Sequence, residues 1–404
     1  MSDLVAALDI GAEKVVALLG ELNRDGPVSV VGADDKPSQG AVRRGVVVDL
    51  DRAAEAARLA LMEAQYQPGE SARRAYLAVG SYHIRSTVET GIATIRGNRQ
   101  ITQEDVRRAI EQTKTGTYPQ DQELLHVIPL EYRVDRQSEA VMDPVGMTGS
   151  RLEVRALLVT VDKQVVENLR NLAQRLDLEV PSLVAAPYAA GLGVLEPDEL
   201  EGTTLVVDLG ASTTGVGYFK NGKLAYVGVI PLGAEMITSD ISQVLRIPVD
   251  EAERIKLLHG TAIREHTTQE EMVELAGGTR KVPRSELAEI IYYRQLEILE
   301  AVRRLVEDRI GPFEREVNRV VLTGGGALLA GVDQLARREF GVAAEVKRPI
   351  EVEVLSDKVD HPKYAVAVGL LEYARKGWRE PESPIEKFKA PWLEKVINWL
   401  KELF

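Results

Sequence analysis

Two stretches of this chain follow one plan, and that repetition constrains the fold more than any other feature. The apolar run Leu4–Leu8 leads into Asp9-Ile10-Gly11-Ala12-Glu13, and Val15–Leu19 resumes the apolar pattern. Leu205-Val206-Val207 leads into Asp208-Leu209-Gly210-Ala211-Ser212, and Val216-Gly217-Tyr218-Phe219 follows. The copies stand half the chain apart. Each reads as strand, Asp-x-Gly turn, strand. After the second copy, Asn221-Gly222 is a two-residue hairpin signal, because both residue types tolerate positive φ. A unit of this kind occurring twice predicts two similar α/β halves that face each other.

The pattern between the copies is uneven. An Ala-rich helix is expected over 49–65. Residues 75–95 alternate like strands, and 124–134 and 152–161 read as further strands. Thr102 is the expected N-cap of a helix that opens with Gln103-Glu104-Asp105. Together these make a β-rich island at about 81–159 that interrupts the first half, with a helix near 163–176 after it. The second half predicts helices at 234–246 and 249–259, a polar stretch from His266 to Thr279, and a long helix from Ser285 to Ile310 ended by Gly311-Pro312. A strand at Asn318–Thr323 runs into Gly324-Gly325-Gly326. Helices at Val332–Phe340 and near 362–376 complete the body, and Gly377, Pro381, Pro384 and Pro391 mark a linker.

Composition narrows the chemistry. Lys plus Arg number 50 against 62 Asp plus Glu, a net charge of −12, which argues against a broad nucleic-acid surface. The absence of cysteine excludes disulfides, thiol nucleophiles, iron–sulfur clusters and cysteine-based zinc sites. The five histidines (His83, His126, His259, His266, His361) lack metal-binding spacing. No Walker loop and no G-x-S-x-G turn is present. The start, Met1-Ser2-Asp3-Leu4, lacks the basic region of a secretory signal. No stretch approaches the roughly 20 apolar residues of a membrane-spanning helix.

The glycine turns at 9–14, 208–215 and 324–327 all follow predicted strands. Glycine lets backbone N–H groups approach a phosphate closely, and Ser212, Thr213 and Thr214 add hydroxyl donors. An Asp at the end of each paired strand, Asp9 and Asp208, suits a hydrated Mg²⁺. Two opposed turns of this kind can clamp a polyphosphate between two lobes, and Gly324-Gly325-Gly326 can admit a base or ribose. Each turn alone also fits a plain tight turn; the order and spacing of the set carry the reading.

The order of turns resembles the actin, Hsp70 and sugar-kinase superfamily. There, Asp9, Gly11, Ala12, Glu13 and Lys14 stand where phosphate 1 lies. Asp208, Gly210, Ala211, Ser212, Thr213 and Thr214 stand at phosphate 2, and Gly324, Gly325 and Gly326 in the adenosine motif. Glu253 and Lys256 resemble the helical Glu-x-x-Lys pair that contacts adenosine, and Gly233 falls in the same set. The match narrows to the FtsA family of actin-like bacterial cell-division proteins. Ile101–Val106, Leu125–Pro129, Asp143–Met147 and Gly149–Glu153 resemble that family's own insertion, subdomain 1C, and Val229–Gly233 with Ile237–Ile241 is similar too.

The resemblance implies an α/β, two-lobed actin-like ATPase fold. Its expected parts are subdomain 1A (1–80, 160–190 and 345–376), inserted β-rich subdomain 1C (81–159), subdomain 2A (191–242 and 311–344) and subdomain 2B (243–310). A linker (377–390) and an amphipathic membrane-targeting helix (391–404) follow. It further implies ATP and Mg²⁺ between the lobes, with Asp9 and Asp208 near the metal. The implied role is to tether filaments of the partner FtsZ, through its C-terminal peptide, to the cytoplasmic face of the cell membrane at the division site. Self-association into protofilaments and recruitment of other division proteins belong to the same role. Ala211-Ser212 stands where the family commonly has glycines, Gly215 where the superfamily often has Asp, and Ala186-Pro187 where many relatives have Glu or Gln before Pro. The last change removes a residue that can orient the attacking water, so slow or absent hydrolysis is expected. The alternatives are a PilM-like pilus-assembly adapter and a small-molecule kinase of the same superfamily.

The tail carries its own physical signal. On a helical wheel at about 100° per residue, Trp392, Leu393, Val396, Ile397, Trp399, Leu400, Leu403 and Phe404 share one face. Glu394, Lys395, Asn398, Lys401 and Glu402 take the other. Indole rings favour the headgroup region of a bilayer, so the segment reads as an in-plane membrane anchor. The competing reading is a helix folded back on the body.

Overall fold

The computed structural model describes residues 3–379, apart from 24–25, 117, 136–138, 201 and 279. The predicted tail and its eight apolar anchor residues lie outside the described residues.

Two sheets repeat one design. The first has six strands in the order Leu183–Ala185, Arg74–Val79, Asp3–Ile10, Lys14–Leu22, Ser29–Pro37, Glu353–Val354. The second has five, in the order Ala343–Val346, Arg319–Thr323, Thr203–Leu209, Thr214–Lys220, Lys223–Ile230. In each, the Asp-bearing strand pairs antiparallel with the strand after its turn and parallel with a strand from further along the chain. Val5–Leu8 and Leu205–Val207 are fully buried in continuous apolar runs, as strands covered on both faces require. The repeat in the sequence is thus a repeat of architecture.

Helix Ala186–Val194 packs against both Thr203–Leu209 and Thr214–Lys220 of the second sheet, and it crosses helix Ala365–Arg379 of the first lobe. That crossing needs bare backbone on both helices. A Cβ on Gly369 would lie 1.7 Å from the Ala189 carbonyl oxygen, and one on Gly193 would lie 2.0 Å from the Ala365 carbonyl oxygen.

The β-rich island is a three-stranded antiparallel sheet, ordered Arg85–Gln100, Thr148–Asp162, Gln122–Val134, with helix Gln103–Thr113 on one face. Thr102 caps that helix in a reciprocal box with Asp105, as its position predicts. Ile95, Ile101, Ile110, Val134 and Leu152 give the island a core of its own. In the second half, helices Ala234–Leu245, Val249–His259 and Arg284–Arg309 enclose another small core around Ile241, Ile255 and Ile291. The polar stretch before the long helix contains a short ladder, Met272–Glu274 with Lys281–Pro283, that buries one valine from each strand.

Candidate functional site

The two Asp-x-Gly turns have the same geometry. The Gly11 N–H donates to the Lys14 carbonyl at 2.9 Å, and the Gly210 N–H donates to the Thr213 carbonyl at 3.0 Å. A Cβ on either glycine would lie 2.8 Å from that same carbonyl oxygen. Asp9 stands opposite Val16 and Asp208 opposite Gly215, one rung back from each turn.

The third turn closes on the other two. Gly324 has φ +84°, and a Cβ there would lie 2.3 Å from Asp208 Oδ1. A Cβ on Gly326 would lie 2.9 Å from the Leu209 carbonyl oxygen. On Gly325 the nearest group would be the Lys14 ammonium, at 3.9 Å. Three turns that are far apart in the chain therefore meet around Asp9, Asp208 and Lys14.

The electrostatics of this junction are unusual. Both carboxylates sit deep in protein while keeping partial access to solvent. Burial pushes Asp9 up to about 6, against the opposing pull of Lys14. Burial, reinforced by the charge of Asp9, pushes Asp208 up to about 7. Lys14 is itself depressed by burial and by the neighbouring Lys363. Two mutually repelling carboxylates this deep in protein are short of positive charge, so the residues fit a hydrated divalent cation, which takes few protein oxygens and keeps its waters.

The remaining predicted residues take distinct places. The Thr214 hydroxyl donates to the Leu232 carbonyl at 2.9 Å and is engaged by backbone. Gly233 packs on the Ala211 backbone, where a Cβ would come within 2.3 Å of the carbonyl oxygen. The Ala234 and Glu235 N–H groups donate to the Gly210 and Ala211 carbonyls at 3.0 and 2.9 Å, docking a helix start on the second turn. Ser212 is buried. Glu253 and Lys256 pair at 2.7 Å, and Lys256 also donates to the Thr238 hydroxyl at 2.9 Å. Pro187 covers Gly215: a Cβ there would lie 2.9 Å from the proline ring, which leaves no room for a side chain.

Sequence reasoning missed Asp35, Lys363 and Tyr364. Asp35 lies opposite Val16, on the rung shared with Asp9. Lys363 Nζ donates to its carboxylate at 2.7 Å and the Tyr364 hydroxyl at 3.0 Å. Burial raises the Asp35 carboxyl, but the Lys363 and Tyr364 hydrogen bonds outweigh it and hold it below the usual range. No local motif marks these residues, because the pairing spans 328 positions.

Comparisons with known proteins agree with this architecture. The family model described as "Cell division protein FtsA" matches residues 205–369, and that described as "SHS2 domain inserted in FTSA" matches 81–160. The chain is 32% identical to the cell division protein FtsA of Escherichia coli K12, over 99% of this chain and 98% of the relative. It is 33% identical to that of Bacillus subtilis, over 96% and 89%. Among solved structures, a PilM-PilN type IV pilus biogenesis complex superposes with a TM-score of 0.66 at 18% identity, covering 92% of this chain and 98% of that one. MreB 5 of Spiroplasma citri bound to AMPPNP superposes with a TM-score of 0.57 at 15% identity, covering 95% and 100%. These two show the fold, which is actin-like; identity along nearly the whole length shows the family, and the chain belongs to the FtsA family of cell division proteins.

Proposed function

We propose that this protein binds ATP with Mg²⁺ where its three turns meet, and that it links FtsZ filaments to the cytoplasmic face of the cell membrane at the division site. The convergence of Asp9, Asp208 and Lys14 under Gly324 carries the nucleotide half of the reading. The Spiroplasma relatives of this fold, bound to AMPPNP and to ADP, support it. Asp9 and Asp208 would hold the hydrated metal, Lys14 would face phosphate, and Glu253 and Lys256 would lie toward the adenosine end. The metal would supply positive charge that neutralises the phosphates. Position 186 is an alanine, so no side chain there orients a water, and hydrolysis is slow or absent. Such a site acts as a nucleotide-dependent switch for head-to-tail assembly.

The rest of the reading follows the family. Subdomain 1A would comprise 1–80, 160–190 and 345–376; 1C would be 81–159; 2A would be 191–242 with 311–344; 2B would be 243–310, where the FtsZ C-terminal peptide would dock. The eight apolar residues from Trp392 to Phe404 would lie in the membrane interface, and other division proteins would be recruited through the assembled filament. Liposome co-sedimentation with Mg-ATP tests the anchor, comparing the full chain with one ending at Ala390. The full chain should pellet and the shortened chain stay in solution. Equal behaviour of the two would remove the membrane role and favour an adapter that engages a membrane protein instead.

A further inference from the structure

The insert is tied to both lobes by side chains whose partners are backbone atoms. His126, on insert strand Gln122–Val134, is buried, and its Nε2 accepts a hydrogen bond from the Ala185 N–H at 3.0 Å. An accepting Nε2 requires the neutral ring, and burial keeps it neutral by lowering its pKa to about 4. The rings of Tyr188 and Tyr373 stand edge-on to it at 5.3 and 5.7 Å. Ala185 ends an edge strand of the first sheet, immediately before helix Ala186–Val194.

On the other side, the Ser86 hydroxyl donates to the Val227 carbonyl at 2.5 Å and accepts from the Val227 N–H at 3.1 Å. One hydroxyl has one proton to give and lone pairs to receive, so it satisfies both groups at once. Val227 lies on Lys223–Ile230, the edge strand of the second sheet, whose outward N–H and C=O groups would otherwise lack partners. Lys223 Nζ adds a bond from this strand to the Leu130 carbonyl of the insert at 3.2 Å.

Both connections end at the second hairpin turn. The edge strand sets Ile230 opposite Thr214, and the chain beyond it takes the Thr214 hydroxyl at Leu232 and packs Gly233 on Ala211. From Ala185, two residues lead to Pro187, which covers Gly215, the rung partner of Asp208.

We propose that the insert is a clasp between the lobes: Ser86–Val227 and His126–Ala185 make displacement of the insert and opening of the cleft a single motion. Whatever ligand closes the cleft then shifts the insert, and whatever holds the insert shifts affinity in the cleft by the same factor. The identity of that ligand as Mg-ATP rests on the function proposed above; the clasp does not.

The chain has no cysteine, so pairs of introduced cysteines can carry spin labels without background. Met62→Cys on the first lobe with Arg304→Cys on the long helix reads the distance between lobes, and Gln112→Cys with Arg304→Cys reads the insert; all three positions are exposed. In the full chain without nucleotide, Ser86→Ala should broaden and lengthen both distance distributions by double electron–electron resonance. Ser86→Thr, which keeps the hydroxyl, should retain the narrow ones. Mg-ATP should shift both pairs in the parent, and in Ser86→Ala it should leave the Gln112–Arg304 distribution broad. Distributions unchanged by Ser86→Ala, alone and combined with Lys223→Ala, in protein shown folded by circular dichroism would overturn the clasp. If Ser86→Ala broadens them while Mg-ATP moves nothing in any variant, the clasp stands and the nucleotide reading falls.

Discussion

Gly324 and Asp208 touch so closely that no side chain fits between them: a Cβ at 324 would lie 2.3 Å from Asp208 Oδ1. The same residue has φ +84°, a conformation that disfavours side chains on its own account. The third turn therefore fixes the position of the second turn's carboxylate. Gly324→Ala should cost about 1–3 kcal/mol in backbone strain and push the Asp208 carboxylate out of place. A folded variant with a lowered melting temperature and no further rise on adding Mg-ATP is expected by thermal denaturation. A nucleotide-dependent rise equal to the parent's would separate the third turn from the site.

The acid pair makes stability and metal binding depend on pH in opposite directions. Asp9 titrates at about 6 and Asp208 at about 7 in the folded protein, both above the ordinary 3.8. In the window between, the folded chain holds more protons than the unfolded one, so the stability that this pair contributes is full at low pH and is lost as pH rises through 6 to 7. Mg²⁺ needs the ionised forms, so its binding should release protons and weaken as pH falls through the same window. Calorimetry in two buffers of different ionisation enthalpy reads the released protons directly. Asp208→Asn should raise the stability of the ligand-free protein above pH 7 and abolish its stabilisation by Mg-ATP.

How much of this was legible in the sequence depended on distance along the chain. The paired hairpins were readable because strand, Asp-x-Gly turn and strand follow one another directly, from Asp3 to Leu22 in the first copy, and the Thr102 cap because its partner Asp105 is three positions away. The long helix was readable within one residue at each end, from its length and from Gly311-Pro312 beyond it. The ladder Met272–Glu274 with Lys281–Pro283 escaped notice because a three-residue strand turns only one side chain inward, which makes no period. Asp35 with Lys363 and Ser86 with Val227 were out of reach, because each pair is brought together only by the finished fold, across 328 and 141 positions.

The helix crossing beside the cleft is equally intolerant of bulk. A Cβ on Gly369 would come 1.7 Å from the Ala189 carbonyl oxygen, an atom of helix backbone that cannot swing aside. Helix Ala186–Val194 also rests on the second sheet, so separating the two helices loosens the contact between lobes. Gly369→Ala should destabilise by at least the roughly 1–3 kcal/mol typical of overpacking. Urea denaturation followed by circular dichroism should show a lower midpoint, while Gly377→Ala, with nothing near its Cβ among the described residues, serves as the helix control.

Asp105 offers a test confined to the insert. Its buried side chain accepts from Arg99 at 2.7 and 3.0 Å and from the Thr102 N–H at 2.9 Å, closing the cap of helix Gln103–Thr113. The Arg99 hydrogen bonds, with help from Thr102 and Arg108, hold the carboxyl far below its usual range. A depressed carboxylate contributes stability above its unfolded pKa and loses it as pH falls toward the folded one, so the insert should loosen in acid. Both arginines are half exposed, so solvent screening limits the contribution. Asp105→Asn should cost on the order of 2 kcal/mol. The island has its own core around Ile101 and Leu152, so the loss should appear as faster amide exchange across 103–113 while Val5–Leu8 stays protected. Uniform acceleration of both segments would mean instead that the insert and the first sheet open as one unit.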